Sequence, residues 1–204
     1  MIKIPRKRRI WYPGATYHIM GRGNCHKDIF SDEEDRQYFL VILENVQKRY
    51  PFLIHSYCLM TNHYHILLET KSSEIWRIMQ LFVLNYTTYY NHKYHKDGHL
   101  FQGRYKSCIV ENDEYFLQTS RYIHLNPVKA KMVAYPQDYK WSSYKTILAM
   151  EDQRIVEREK ILSYFKKPRE LEYQRFVEDI SINMRQQELE IQKQMGEDDL
   201  WLPW

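Results

Sequence analysis

The stretch FLIHSYCLMTNHYHILLET, which runs from Phe52 to Thr70, decides the fold of this chain. It holds two runs rich in apolar and aromatic residues, and such runs predict β-strands at Phe52 to Met60 and at His63 to Thr70. Between them stands only Thr61-Asn62, a polar pair of the length that joins two antiparallel strands. The stretch therefore predicts a β-hairpin.

Alternation along the second strand brings two imidazoles together. Successive side chains of a strand point to opposite faces, so His63 and His65 share one face while Tyr64, Ile66 and Leu68 share the other. The apolar face is expected to pack against helices, which leaves both histidines on the uncovered face. Two adjacent imidazoles can bind a divalent cation, but without a third ligand a His-X-His pair is more typical of structural histidines.

Outward from the hairpin, apolar spacing and turn residues predict five further elements. These are a strand at Thr16–Arg22, a helix from Ser31 to Tyr50 with a Ser31/Glu34 capping box, a helix from Ser73 to about Tyr90, a strand at Arg104–Val110, and a helix from Asn112 that Asn126-Pro127 ends. The order β-α-β-β-α-β-α indicates an α+β fold of the ferredoxin-like (RRM-like) type. In this fold an antiparallel sheet carries helices on one face, and here a further helix is added.

The added helix offers further polar groups to the open face. Tyr115, Thr119, Tyr122 and Asn126 are spaced four, three and four residues apart and so lie on one stripe. If this helix covers the histidines, Asn126 can supply an oxygen ligand and Tyr122 can place its phenol beside the metal. The alternative is that Tyr122 only packs and Asn126 only ends the helix.

Charge divides the 204-residue chain into two parts. Residues 1–150 carry 21 Lys and Arg against 13 Asp and Glu, whereas residues 151–204 carry 9 against 13. We therefore expect a basic domain at 1–150 and an acidic helical extension at 151–204, with helices from about Val156 to Met195. The basic first ten residues are typical of an arm that contacts a phosphate backbone.

Composition excludes several other classes of protein. Hydrophobic residues make up 44% and charged residues 27% of the chain, which excludes wholesale disorder. No apolar run approaches the roughly 20 residues that cross a bilayer, and no secretion signal is present, so we expect a cytoplasmic protein. The three cysteines are scattered, which argues against a disulfide framework and indicates small core residues.

Four stretches carry a resemblance to a known family. They are MTNHYHILL at Met60–Leu68, FQGRY at Phe101–Tyr105, RYIHLNPVKA at Arg121–Ala130 and WSSY at Trp141–Tyr144. In this order they resemble the single-tyrosine HUH transposases, specifically the REP-associated tyrosine transposase branch. The similarity covers roughly residues 8–150 and is far more specific than a His-X-His pair alone.

The resemblance implies a metal-dependent enzyme that cleaves and rejoins single-stranded DNA at hairpin-forming repeats. By position, Tyr122 would form a covalent 5′-phosphotyrosine, and His63, His65 and Asn126 would bind Mg²⁺ or Mn²⁺. Other members of the wider group carry a longer Gln where Asn126 stands. We expect the DNA to contact basic side chains, namely Arg6, Lys7, Arg8, Arg9, Arg22, Arg104, Lys106, Arg121, Lys129 and Lys131. A monomer and a homodimer both stay open.

Competing interpretations remain at this point. A non-catalytic single-strand-binding module would share the same element order, although the aromatic signature of RNA-recognition domains is missing. A domesticated transposase would bind single-stranded DNA without cutting it. A zinc hydrolase of the His-X-His-X-Asp type is disfavoured because Leu67 stands at the Asp position. A purely structural scaffold would leave the polar stripe through Tyr122 without a purpose.

Overall fold

The computed structural model describes residues 10–179, and these form a four-stranded sheet with helices on both faces. The strands are β1 (Thr16–Arg22), β2 (Phe52–Leu59), β3 (His63–Thr70) and β4 (Lys106–Ile109). The helices are α1 (Glu33–Arg49), α2 (Ile75–Tyr94), α3 (Asp113–Lys129), α4 (Tyr144–Ile147), α5 (Glu159–Leu162) and α6 (Arg169–Glu178). The predicted order of elements is confirmed.

The sheet is antiparallel between neighbours, with the strand order β2-β3-β1-β4. This is the split β-α-β arrangement of the ferredoxin-like fold, because β3 lies between β1 and β2. Helices α1 and α2 cover one face, where their apolar side chains share a core with Tyr17 of β1 and Tyr64 of β3. On the opposite face, Phe116 and Ile123 of α3 pack with Leu67 of β3. The predicted α+β class is therefore confirmed.

Helix α1 is capped one residue later than the sequence indicated. Asp32 accepts a hydrogen bond from the backbone N–H of Asp35 at 2.9 Å, and the carboxylate of Asp35 accepts one from the backbone N–H of Asp32. The predicted pairing of Ser31 with Glu34 was wrong. The Asp32/Asp35 pair has the same spacing, and the buried carboxylate of Asp35 also binds Lys93 of α2 at 3.0 Å.

Helix α3 continues through Pro127, where the sequence predicted its end. A proline inside a helix removes one backbone hydrogen bond and crowds the preceding turn. Here only Val128 and Lys129 follow it in the helix, and the backbone N–H of Ala130 still bonds to the carbonyl oxygen of Asn126 at 2.9 Å. The additional turn carries Lys129 to the end of the helix.

The first part of the predicted extension packs on the body. Leu162 of α5 and Tyr173 and Val177 of α6 are buried in the same core as Ile123 of α3. This part of the extension therefore shares a core with α3 of the predicted domain at 1–150. The rest of the extension, including its predicted helical part up to Met195, lies outside the described residues.

Two smaller expectations concern cysteines and membranes. Cys58 and Cys108 are buried free thiols, as predicted, whereas Cys25 is exposed because it stands in a short turn after β1. Between residues 10 and 179 no helix is long and apolar enough to cross a membrane.

Candidate active site

The histidine pair is presented by a strand whose opposite face is locked into the core. Tyr64, between the two histidines, is fully buried, and its ring centroid lies 5.0 Å from that of Phe39. The Tyr64 ring also lies against Gly21 of β1, where a Cβ atom would come within 2.5 Å of it. A glycine at this position therefore permits the close packing that fixes β3. On the other face, the ring centroids of His63 and His65 lie 5.1 Å apart.

Helix α3 brings Tyr122 to this histidine pair. The Tyr122 ring stands edge-on to the ring of His65, with 5.5 Å between the centroids. The Nζ atom of Lys129, two turns further along α3, lies 4.7 Å from the centroid of the Tyr122 ring. His65 and Tyr122, which are distant in the sequence, thus meet on one face of the sheet. This is the face on which the alternation along β3 places the histidines.

A third imidazole, which the sequence analysis did not single out, completes the group. His18 of β1 is fully buried, and its Nε2 lies 3.0 Å from Nδ1 of His65. Its ring also faces Tyr122, with 5.8 Å between the centroids. A signal was present in the sequence, because His18 alternates with the core residues Tyr17 and Ile19. In a ferredoxin-like sheet β1 neighbours β3, so His18 had to share the histidine face.

The surroundings keep these imidazoles neutral at neutral pH. Burial lowers the pKa of His18 to about 3. Burial, with a smaller contribution from the charge of Arg22, lowers the pKa of His63 to about 4. The pKa of His65 is also well below its ordinary value, first because of burial and then because of His63 and other neighbours, among them Lys129. A neutral imidazole is the form that offers a lone pair to a cation.

Asn126 lies one turn after Tyr122, but its side chain is hydrogen-bonded to its own helix. Its Nδ2 donates to the carbonyl oxygen of Tyr122 at 2.8 Å, so Oδ1 is the side-chain atom with lone pairs to offer. In the described part of the chain, no group of three or more His, Cys, Asp or Glu side chains is arranged to hold a metal ion. A metal site at this place would therefore need an oxygen ligand in addition to the two imidazoles of β3.

Buried polar contacts fix α3 from behind. His124 is fully buried, and its ring nitrogens lie 2.8 Å from the hydroxyl of Tyr173 and 2.9 Å from Oγ of Ser143. Ser143 in turn accepts a hydrogen bond from the backbone N–H of Tyr57 in β2 at 2.9 Å. The WSSY motif, noted in the sequence, thus ties the helix of Tyr122 to the sheet.

Several of the predicted DNA-contacting residues lie near this group. Arg22 stands opposite His63 in the pairing of β1 with β3. Lys106 of β4 aligns with Met20 of β1, which itself aligns with His65. Arg104 and Lys131 are exposed. The predicted contacts of Arg6, Lys7, Arg8 and Arg9 fall outside the described residues.

Arg121 does not belong to this basic group. Its side chain is buried, and its guanidinium donates to the carbonyl oxygens of Val177 at 3.1 Å and of Asp179 at 2.6 Å. These carbonyls lie at the end of α6, so Arg121 joins α3 to the extension. The predicted contact with DNA is corrected on this point, because a guanidinium enclosed by α6 cannot reach a phosphate backbone.

Comparison with known proteins identifies the class to which this fold and site belong. Residues 12–126 match the family described as "Transposase IS200 like". Because the match spans more than half of the 204 residues, the chain belongs to the IS200-like transposase family. The sequence matches no curated protein.

One of three solved structures compared with this chain shares its fold. A REP-associated tyrosine transposase bound to a REP hairpin is 17% identical, with a TM-score of 0.61 over 76% of this chain and 98% of that chain. A putative transposase from Deinococcus radiodurans is 14% identical, with a TM-score of 0.39 over 65% and 96%. A tRNA(His) guanylyltransferase from Saccharomyces cerevisiae is 11% identical, with a TM-score of 0.44 over 83% and 80%. Scores below 0.5 do not establish a shared fold, so only the first comparison bears on this chain.

Proposed function

We propose that this protein cleaves and rejoins single-stranded DNA at hairpin-forming repeats, with Tyr122 as the nucleophile. The observation that carries the proposal is the meeting of Tyr122 on α3 with His65 on β3, at 5.5 Å between ring centroids. Membership of the IS200-like transposase family supports DNA strand transfer as the reaction. The protein that shares the fold was solved with a REP hairpin, which supports hairpin DNA as the substrate class and the REP-associated branch as the type of transposase.

We assign His63, His65 and Asn126 as the residues that hold a divalent cation, Mg²⁺ or Mn²⁺. Both imidazoles are neutral at neutral pH, and the amide oxygen of Asn126 supplies the oxygen that the site needs. A mixed set of nitrogen and oxygen ligands fits Mn²⁺ and, with water molecules, Mg²⁺. When bound, the cation would polarise the scissile phosphate and offset the charge that develops on its oxygens.

Tyr122 supplies the attacking oxygen in this proposal. A phenol has an ordinary pKa of about 10, so loss of its proton needs assistance. The ammonium group of Lys129, 4.7 Å from the ring centroid, is a positive charge in position to stabilise a phenolate. The phenolate oxygen forms a bond to phosphorus as the bond to the 3′ oxygen breaks. The 5′ phosphate stays on the tyrosine, and the 3′ oxygen takes up a proton.

The basic residues near the site would bind the DNA backbone. Arg22 of β1 pairs with His63, Lys106 of β4 is aligned through Met20 with His65, and Lys129 lies above Tyr122. Contacts of this kind position a strand without reading its sequence. We therefore expect them to hold the phosphate chain across the histidine face, while the choice of hairpin depends on other contacts.

Replacement of Tyr122 tests the assignment of the nucleophile. Tyr122→Phe removes the attacking oxygen and keeps the ring, so we expect no denaturant-resistant complex with a single-stranded hairpin oligonucleotide in Mg²⁺ or Mn²⁺. Affinity for the same DNA should stay within about two-fold, because the substitution spares ground-state binding. As the control, Tyr115→Phe on the same helix stripe should form the complex normally. Undiminished complex formation by Tyr122→Phe would rule this tyrosine out.

Hairpin binding without cleavage is the second candidate function, and it is favoured because no three His, Cys, Asp or Glu side chains of residues 10–179 are arranged to hold a metal ion. The same assay separates the two candidates. A cleaving enzyme forms the covalent complex in Mg²⁺ or Mn²⁺, and loses it with a chelator or with His63→Ala or His65→Ala. A non-catalytic protein retains the hairpin in every condition and forms no covalent complex.

A further inference from the structure

The two histidines of β3 are each hydrogen-bonded through Nδ1 to a residue outside the proposed ligand set. Nδ1 of His63 lies 2.7 Å from Oδ1 of Asn62. Nδ1 of His65 lies 3.0 Å from Nε2 of His18. The two partners come from different parts of the fold, the turn before β3 and the middle of β1, yet both engage the same ring nitrogen.

We propose that Asn62 and His18 are positioning residues that make Nε2 of His63 and of His65 the nitrogens that face a divalent cation. A hydrogen bond at one ring nitrogen of a histidine decides which nitrogen carries the proton and which carries the lone pair. It also fixes the rotation of the ring. The inference rests on the proposed function for the identity of the cation, but the proton on His63 and the hydrogen bond between His18 and His65 can be measured without the cation.

Asn62 determines the proton on His63 because its own orientation is fixed. Its Nδ2 donates to the backbone carbonyl oxygen of His26 at 3.2 Å, so Oδ1 is the atom directed to His63. An amide oxygen can only accept a hydrogen bond. Nδ1 of His63 must therefore carry the proton, and Nε2 must carry the lone pair.

His18 plays the corresponding part for His65. When Nε2 of His65 holds a cation, the proton of that ring resides on Nδ1 and is donated to the Nε2 lone pair of His18. The two rings also stack, at 5.3 Å between centroids and 28° between planes, which restricts rotation of the His65 ring.

His18 acts through His65 and is not itself a third ligand. In this arrangement the Nε2 lone pair of His18 accepts from His65 and the proton of the His18 ring lies on Nδ1, so neither nitrogen of that ring is left to bind a cation. The three imidazoles also do not form a group able to hold a metal ion together. Its effect on the cation must therefore pass through the orientation of His65.

Binding of Mn²⁺ to the full-length protein without DNA, measured by calorimetry, tests this role. We expect His18→Leu and Asn62→Leu to weaken binding by about 10- to 100-fold, the range seen when outer partners of metal-binding histidines are removed. His18→Gln should restore most of the affinity, because a glutamine amide oxygen can take the place of Nε2 as acceptor. Mn²⁺ binding by folded His18→Leu and Asn62→Leu that equals the wild type would overturn the proposal.

A matched control separates this effect from the loss of any buried histidine. His55 of β2 is also fully buried, and its Nε2 lies 3.0 Å from a carboxylate oxygen of Glu69, away from the site. His55→Gln should leave the Mn²⁺ affinity of the folded protein within about two-fold of the wild type, because no proposed ligand loses a partner. An equal loss in His55→Gln would count against a specific role for His18.

Nitrogen NMR of the metal-free wild-type protein, labelled with ¹⁵N at histidine, gives a second readout that does not depend on the variants folding. We expect His63 to be protonated at Nδ1, and a ¹⁵N–¹⁵N coupling to appear across the hydrogen bond between His18 and His65. Protonation of His63 at Nε2, or absence of the coupling, would overturn the proposal. If the wild type binds no Mn²⁺, the metal assignment fails, whereas the NMR result still decides whether these residues position the rings.

Discussion

At the scale of single residues, the position of the histidine pair depends on how the neighbouring side chains pack. Tyr64 anchors β3 in the core and thereby directs His63 and His65 to the other face. Gly21 on β1 makes room for the ring of Tyr64. The position of the histidines is therefore set partly by a glycine that touches neither of them.

Gly21→Ala tests this dependence. The added methyl group would lie within 2.5 Å of the buried Tyr64 ring, so we expect the free energy of unfolding to fall by about 1–3 kcal/mol, as overpacking of a core usually does. Urea denaturation measures the change. In a Tyr64→Leu background, the smaller side chain should reduce the cost of Gly21→Ala. The same cost in both backgrounds would show that the Tyr64 ring is not the obstacle.

At the scale of elements, α3 is held between the histidine face and the extension. Ser120 and His124, on the side of α3 away from the histidines, both hydrogen-bond to the hydroxyl of Tyr173 at 2.8 Å. Arg121 bonds to the carbonyls at the end of α6. The helix that carries Tyr122 is thus positioned by residues beyond the predicted domain boundary.

Tyr173→Phe tests the contribution of α6 to the position of α3. The substitution leaves the buried Ser120 hydroxyl and the His124 ring without their shared partner, so we expect a loss of about 1–3 kcal/mol in unfolding free energy. The matched control is Tyr164→Phe, because this tyrosine is partly exposed and its hydroxyl bonds to the exposed Asp113. Thermal unfolding should change little in the control. An equally small change in Tyr173→Phe would contradict the role given to α6.

Local patterns predicted the elements, but not how the elements dock. Alternation in β3 placed His63 and His65 on one face, and helical spacing placed Tyr122 on the polar side of α3. The role of His18 depends on the pairing of β1 with β3, which is a long-range register. The burial of Arg121 depends on the docking of α6, for which local spacing carries no information. The sequence also holds two pairs with the spacing of a capping box, Ser31/Glu34 and Asp32/Asp35. Asp35 is distinguished by its contact with Lys93 of α2, which is a long-range contact.

At the scale of the whole molecule, a charged cluster joins the extension to the sheet. Glu69 at the end of β3 hydrogen-bonds to His55 of β2 and to Lys160 of α5. The same His55 lies 3.2 Å from a carboxylate oxygen of Glu157. The cluster stands at the opposite end of β3 from the histidine pair, so it stabilises the assembly without entering the site.

The cluster predicts how stability depends on pH. Hydrogen bonding to His55, and then the bond and charge of Lys160, lower the pKa of Glu69 from 4.5 to about 2. As the pH falls, Glu69 is therefore protonated in the unfolded chain before it is protonated in the folded protein. Its stabilising contribution is present above about pH 4.5 and is lost as the pH falls toward 2. We expect Glu69→Gln to be less stable at neutral pH and to lose less stability over this range. The control Glu44→Gln, in an exposed pair with Lys48, should follow the wild type. Equal acid sensitivity of Glu69→Gln and the wild type would contradict this account.

The central claim is tested most directly by identifying the residue that is covalently linked to DNA and whether the link is to a 5′ or a 3′ phosphate. The wild-type protein can be incubated with a single-stranded hairpin oligonucleotide in Mn²⁺, digested with protease and nuclease, and analysed by mass spectrometry. We predict a single modified peptide in which Tyr122 carries the nucleotide through its 5′ phosphate. DNA cleaved with the nucleotide on another residue, with a 3′ linkage, or with no covalent intermediate would contradict the assignment of Tyr122 and of the site built around it.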